Sequence, residues 1–335
     1  MSLSLWDIIV LAVVQGIAEF LPISSSGHLV IIARLLAPEG GRDLDIADLN
    51  IVLHGGTLMS ILVYYWQRVW RLLGEDRRTI GLLIVGTIPA VILGLALKEY
   101  LEAILENPLL AGSLLLVTGT VLLWAVRRPP GDGRYQQMSY WTALKIGLIQ
   151  AAAILPGLSR SGLTISSGLS QGLSRQDAAT FSFLLAIPVI SGACVLEGFD
   201  LASAEELHTP LIHLAIGALI SFVVGLVALW WLVSWLEKGR LQYFAWWCYA
   251  VGIAVIIWQL SLPARSQHPA PIDRPAATPA LKQQEFDQWN SSPDAEALAR
   301  FGPHQSACGL RSSAFGLRSS ACGLLPSLSH LDEVE

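Results

Sequence analysis

Long apolar runs alternate along the chain with short polar interruptions, and the length of each run sorts it into one of two kinds. Stretches around 49–66, 82–98, 108–126, 179–197, 211–235 and 243–260 are apolar, and a run of about 20 residues crosses the roughly 30 Å hydrocarbon core of a bilayer as a helix. Two further apolar regions are too short to do so. Residues 6–21 reach only about 24 Å at 1.5 Å per residue before Pro22 stops them, and a second short run occupies 25–37. Residues 142–155 repeat the arrangement, broken at Pro156-Gly157 and resumed over 161–172. Each pair reads as a re-entrant hairpin that enters and leaves on one side. Non-helical backbone at that depth is tolerated only where protein or a polar cavity covers it.

The charges between the runs orient them. Arg68, Arg71, Arg77 and Arg78 follow the first span, Arg127, Arg128 and Arg134 the third, and Lys238 and Arg240 the fifth; the positive-inside rule places these loops in the cytoplasm. The opposite loops carry acidic residues instead, among them Asp43, Asp45, Glu99, Glu102, Glu205 and Glu206. Composition agrees: 53% hydrophobic residues, 14% charged and a mean hydropathy of +0.55 exclude an ordinary soluble domain. A net charge of −5 offers nothing to nucleic acid. No basic segment followed by a small-residue cleavage site precedes the first apolar run, so no removable signal peptide is expected.

The two hairpins resemble each other. A shift of 135 positions pairs Gln15 with Gln150, Ser24 with Ser159, Ser26 with Ser161 and Gly27 with Gly162, a weak internal repeat in register. Three spans follow each hairpin, so the halves, about 1–130 and 135–260, have opposite orientations. The expected fold is an all-α polytopic membrane protein: an inverted-topology repeat with six transmembrane helices and two re-entrant helical hairpins whose tips meet. The membrane domain spans 1–261. The remainder, 262–335, is rich in Pro, Gln, Ser and Ala and repeats a heptapeptide at Ser306–Ser312, Ser313–Ser319 and Ser320–Pro326, a low-complexity composition expected to be disordered. Its Cys308 and Cys322 fit no zinc spacing; Cys194 and Cys248 fall in apolar spans and read as packing residues.

The breaks carry the chemistry. Gln15 and Glu19 share a helix face before Pro22. Ser24, Ser25, Ser26 and Gly27 start the next helix, as Ser159, Arg160, Ser161 and Gly162 do in the second hairpin, and orphan amides at a helix start favour anions. Arg160 adds a planar fork matched to phosphate oxygens. His28 lies one helical turn from Ser25, within expected reach for a proton exchange. A carboxylate, a hydroxyl nucleophile, an acid/base and a cation at an anion cradle suit phosphoryl transfer. Serines in a first turn also serve as plain caps, and broken helices of inverted repeats also build transporters, so a carrier is the competing class. His54, ahead of Gly55-Gly56-Thr57, reads equally as packing or site-lining. The aromatic clusters Trp66–Trp70, Trp230–Trp235 and Tyr243–Trp247 read as interfacial belts.

The run from Gln15 to His28 and the run from Pro156 to Thr164 together resemble the two signature motifs of the bacitracin-resistance type undecaprenyl-diphosphatases, with the resemblance covering about 1–260. It implies hydrolysis of undecaprenyl diphosphate to undecaprenyl phosphate and inorganic phosphate on the outer side of the bacterial cytoplasmic membrane, recycling the lipid carrier for peptidoglycan and conferring bacitracin resistance. By position, the resemblance makes Glu19, His28 and Arg160 essential and Ser25 the proposed nucleophile, with His28 itself or a directly attacking water as the alternatives. Ser159, Ser161 and Thr164 become phosphate or fold-supporting contacts; Ser24, Ser26, Gly27 and Gly162 are phosphate-binding candidates through their place at the two helix starts. It implies a divalent cation, Mg²⁺ or Ca²⁺, with Glu19 as the possible ligand and Gln15 standing where many members have a second glutamate. Partners implied are the polyprenyl diphosphate and the bilayer.

Overall fold

A computed structural model describes residues 4–36, 46–105, 107–129, 131–202 and 209–261. The 262–335 segment, with its repeats and Cys308 and Cys322, lies outside the described residues, as do Asp43, Asp45, Glu205 and Glu206. The described chain is helical, with one short 3₁₀ turn at Tyr135–Gln137: α1 Leu5–Phe20, α2 Ser25–Leu36, α3 Ile46–Tyr64, α4 Trp66–Leu73, α5 Arg77–Leu105, α6 Pro108–Val126, α7 Tyr140–Ala152, α8 Arg160–Ser170, α9 Arg175–Ala202, α10 Leu211–Glu237 and α11 Gln242–Ser261.

Local signals set the ends. Ser4 and Asp7 form a reciprocal capping box at α1, Asn107 caps α6 ahead of Pro108, and Ser139 caps α7. Among the described residues, five helices are apolar and long enough to cross a membrane, over Arg77–Ala96, Pro108–Val126, Arg175–Leu196, Leu211–Glu237 and Gln242–Ser261. The remaining expected span is α3, which does not run on through Trp66 but turns by 80° into α4. There Trp66 and Trp70 lie exposed on a short helix that also carries Arg68 and Arg71, the composition of an interfacial segment. Large exposed apolar side chains such as Ile92, Val227, Trp230 and Ile257 stud the spans. On a water-soluble protein such a surface would be a liability; here it faces acyl chains. The chain is a multi-pass membrane protein.

The hairpins run beside different partners. α1 lies along α10, with Ile8 against Gly217 and Gly16 against Val224, so both helices start at the same end. α7 lies along α5, with Tyr140 against Gly81 and Gly147 against Gly86. That second pair starts at the basic end, where Arg78 donates to the carbonyls of Gln136 and Met138 and Arg175 reaches the carbonyl of Glu237 at 3.4 Å. α3 packs on α9 and α6 on α11. Small residues at these crossings, Gly56 on Ala218 and Gly112 on Gly252 as well as Gly147 on Gly86, let backbones approach where lipid supplies no hydrophobic drive for association. The fully buried Phe20 and Phe183 meet edge to face at 5.8 Å beneath the first break, closing the core around it.

Candidate active site

Pro22 cannot continue α1, and Leu21 leaves the helix in an extended conformation. The chain reverses over Leu21–Ser24, with Ser24 at φ 69°, a left-handed conformation that costs a serine about 1–3 kcal/mol and persists only where neighbours hold it. They do. The Ser24 hydroxyl accepts the N–H of Gly27 at 3.3 Å and, from the other hairpin, the N–H of Gly157 at 3.1 Å. Gly157 sits at φ 91°; its carbonyl accepts from Thr118, whose hydroxyl in turn accepts the N–H of Ser159 at 3.1 Å. Ser159 caps α8 through Gly162 N–H, and the Ser161 hydroxyl donates to the Leu21 carbonyl at 3.3 Å. Thr164 ties the carbonyl of Arg160 to Ser182 on α9. The two breaks thus meet as expected. Ser24, Ser159, Ser161 and Thr164 hold the junction together, each no more than 2% exposed. Ser26 is exposed, with its hydroxyl 3.4 Å from that of Ser24.

Four side chains converge on Glu19. Arg160 Nη2 donates to Glu19 Oε1 at 2.6 Å, Ser25 donates to Oε2 at 2.7 Å, and Gln15 Nε2 donates to Oε2 at 3.1 Å. His54 Nε2 stands 3.7 Å from the same oxygen. Glu19 is 7% exposed, so this charge is neutralised by direct pairing rather than by water, as burial requires. Two buried atoms beside it lack a partner: Arg160 Nη1 and Gln15 Oε1. An unpaired guanidinium nitrogen in a covered site is a donor suited to an anionic oxygen.

The Ser25–His28 contact expected from one-turn spacing is not what forms. Ser25 turns to Glu19, while both His28 nitrogens are engaged elsewhere: Nδ1 pairs with the Ser24 carbonyl at 2.8 Å and Nε2 receives the Trp247 indole N–H at 3.1 Å. The proton acceptor for Ser25 in this geometry is Glu19, not His28. His54 proves site-lining. Sequence reasoning missed Thr118, Ser182 and Trp247, which come from distant helices and carry no local signature; Trp247 had read as part of an interfacial belt. Cys248 is buried as expected and also donates to the Pro22 carbonyl at 3.6 Å.

The donor set around Glu19 is a poor match for a divalent cation held by protein alone. Among the described residues no group of three His, Cys, Asp or Glu surrounds a common point, and both Glu19 oxygens are already engaged. Hard cations take six or more oxygens. A cage of protein ligands alone does not fit here, although Gln15, whose Nε2 donates to Glu19, keeps its Oε1 unpartnered.

Fold and site together define a multi-pass helical membrane protein with a serine–carboxylate–arginine cluster at the junction of two helix breaks. The model of the family described as bacitracin resistance protein BacA matches residues 8–254. The chain is 51% identical over 254 residues to a protein of Rhodopirellula baltica named undecaprenyl-diphosphatase, covering 76% of this chain and 97% of the relative. Proteins of the same name from Desulfatibacillum aliphaticivorans and Methanosphaera stadtmanae are 39% and 37% identical, over 75% and 78% of this chain and 97% and 100% of theirs. The chain belongs to the bacitracin resistance protein BacA family.

Proposed function

We propose that the protein hydrolyses undecaprenyl diphosphate to undecaprenyl phosphate and inorganic phosphate at the outer face of the bacterial cytoplasmic membrane, recycling the lipid carrier for cell-wall synthesis and conferring bacitracin resistance. The observation that carries this reading is Glu19 bridging Ser25 and Arg160, with a guanidinium nitrogen unpaired beside it. The names of the relatives point the same way. Arg160 Nη1 and the exposed Ser26 hydroxyl receive the diphosphate, and Arg160 stabilises charge on the transferring group. Glu19 takes the Ser25 proton as Ser25 Oγ bonds to the terminal phosphorus and the bond to the lipid-linked phosphate oxygen breaks; undecaprenyl phosphate leaves. Water then attacks the phosphorus as the Ser25 Oγ–P bond breaks; Glu19 returns its proton to Ser25 Oγ, and the proton the water loses leaves with inorganic phosphate. A divalent cation, Mg²⁺ or Ca²⁺, would be held jointly by the diphosphate and Gln15 Oε1, and its contribution would be charge neutralisation. The polyprenyl tail lies among the exposed apolar side chains of the spans.

Phosphate release from undecaprenyl diphosphate by the purified protein tests the reading. Wild type should turn over and Ser25→Ala should lose at least about 100-fold in kcat while staying folded in detergent; equal rates would remove Ser25 from the chemistry.

The outward orientation rests on the basic loops and on the opposite starts of α1 and α7. Single cysteines in place of the exposed Glu75 and Leu211, in a background without the native cysteines, report it in intact cells. An impermeant thiol reagent should label position 211 and spare 75. The reverse would turn the site's entrance to the cytoplasm.

A further inference from the structure

The hydrogen bonds of His28 leave one arrangement of its protons. The Ser24 carbonyl can only accept, so Nδ1 carries the hydrogen; the Trp247 indole N–H can only donate, so Nε2 carries a lone pair. The two rings lie nearly parallel, 10° between planes and 6.3 Å between centroids. His28 is therefore held as a neutral, single tautomer with neither nitrogen available to Ser25. Its Nδ1–H instead reaches the carbonyl of the one non-glycine residue with positive φ among the described residues, and that residue's hydroxyl receives the N–H of Gly157 from the second hairpin.

We infer that His28 and Trp247 are positioning residues: Trp247 fixes the His28 tautomer, and His28 clamps Ser24 in its left-handed conformation, so that the two hairpin tips stay in contact and Ser25 stays on Glu19. The chain of contacts runs from α11 through α2 to both breaks. It rests on the reading of Ser25, Glu19 and Arg160 as the reacting cluster, but assigns work to a side chain on α11 outside both motifs. Trp247 suits the task because it is 52% exposed at the helix surface; its ring can be trimmed without opening a large internal void, so a change there reports on the hydrogen bond rather than on the core.

Side-chain mimicry separates a clamp from a base. The amide N–H of an asparagine stands near the place of Nδ1–H, whereas glutamine reaches toward Nε2. His28→Asn should recover turnover to within about tenfold of wild type, while His28→Ala and His28→Gln should each fall by about 100-fold or more. A proton acceptor would be lost equally in all three, and equal loss in folded variants overturns the proposal. Trp247→Phe keeps a ring and removes the donor; kcat should fall about fivefold with KM little changed, and Nε2, no longer occupied, should become protonatable and add an acid limb to the pH–rate profile. Trp247→Phe matching wild type at every pH overturns the part played by Trp247. A readout independent of turnover is the ¹⁵N spectrum of histidine-labelled protein in detergent, with the His28 signals assigned by their loss in His28→Asn. Wild type should show the Nδ1–H tautomer; an Nε2–H tautomer or a charged ring overturns the inference whatever the enzyme's rate. Absence of phosphate release by wild type, with the Nδ1–H tautomer in place, would instead count against the catalytic reading and leave the clamp standing.

Discussion

Glu19→Gln should abolish turnover, with a fall in kcat of about 1,000-fold or more, while the protein remains folded. Glutamine keeps the volume and one carbonyl oxygen for Ser25 or Arg160, but it cannot take the serine proton, and general-base catalysis contributes about 10²–10⁴-fold. It also leaves the Arg160 charge, now 2.6 Å from Glu19, without its counter-ion. Stripping one partner from a buried pair costs about 3–5 kcal/mol, so the Glu19→Gln protein should also unfold at lower temperature in detergent. An anion should fill the gap: inorganic phosphate should raise the melting temperature of Glu19→Gln more than that of wild type, because the unpaired guanidinium gains more from binding it. Phosphate-release kinetics and thermal unfolding with and without phosphate check both halves. A Glu19→Gln variant with wild-type kcat would remove the carboxylate from the mechanism.

Gly157→Ala should be nearly as damaging by another route. The residue sits at φ 91°, where any Cβ is strained, and an added methyl would run into the Ala111 carbonyl and the Leu114 side chain. Relief requires moving the second break away from α6, which breaks the Thr118 bonds to Gly157 and Ser159 and the Gly157 N–H bond to Ser24. Turnover should drop by about 100-fold or more and the melting temperature should fall. Gly172→Ala is the control: that glycine also has a positive φ, 86°, but nothing lies within 4 Å of the added methyl. It should cost stability through backbone strain alone and leave kcat close to wild type. Equal kcat losses in the two variants would mean that contact between the breaks does not set the rate.

Much of the architecture was legible because bilayer thickness is a strict ruler. Runs near 20 residues became spans, and the two shorter runs broken at Pro22 and Pro156-Gly157 became paired short helices, α1 with α2 and α7 with α8, within a few residues of the expected bounds. The turn between α3 and α4 was not legible, since an apolar run ending in Trp66 reads as a span ending in a belt; only the arginines at 68 and 71 hint that the helix lies down there. At the site, residue types told more than spacing. Glu19, Arg160 and Ser25 stood out because ionisable and polar groups are costly in apolar segments. The one-turn spacing of Ser25 and His28 misled, because two side chains in one helical turn can each find better partners outside it. Glu19 comes from the preceding helix and Trp247 from one 219 residues away. No local pattern carries a contact of that range.

The two hairpins begin their second helices alike, yet the first residue of α2 is Ser25 and the first of α8 is Arg160, the same place under the 135-residue shift. Identical tips would set like against like across the junction: two cations repelling, or two hydroxyls with nothing to hold charge. The lone carboxylate breaks the tie. Glu19 has Ile154 as its counterpart in the second hairpin, so negative charge sits on one side only, and through it a nucleophile and a cation 135 positions apart are yoked to a single anion. In the proposed reaction, a structure assembled from two similar pieces thereby acquires a direction, with Ser25 on the attacking side and Arg160 on the receiving side, and a diphosphate would meet it only one way round.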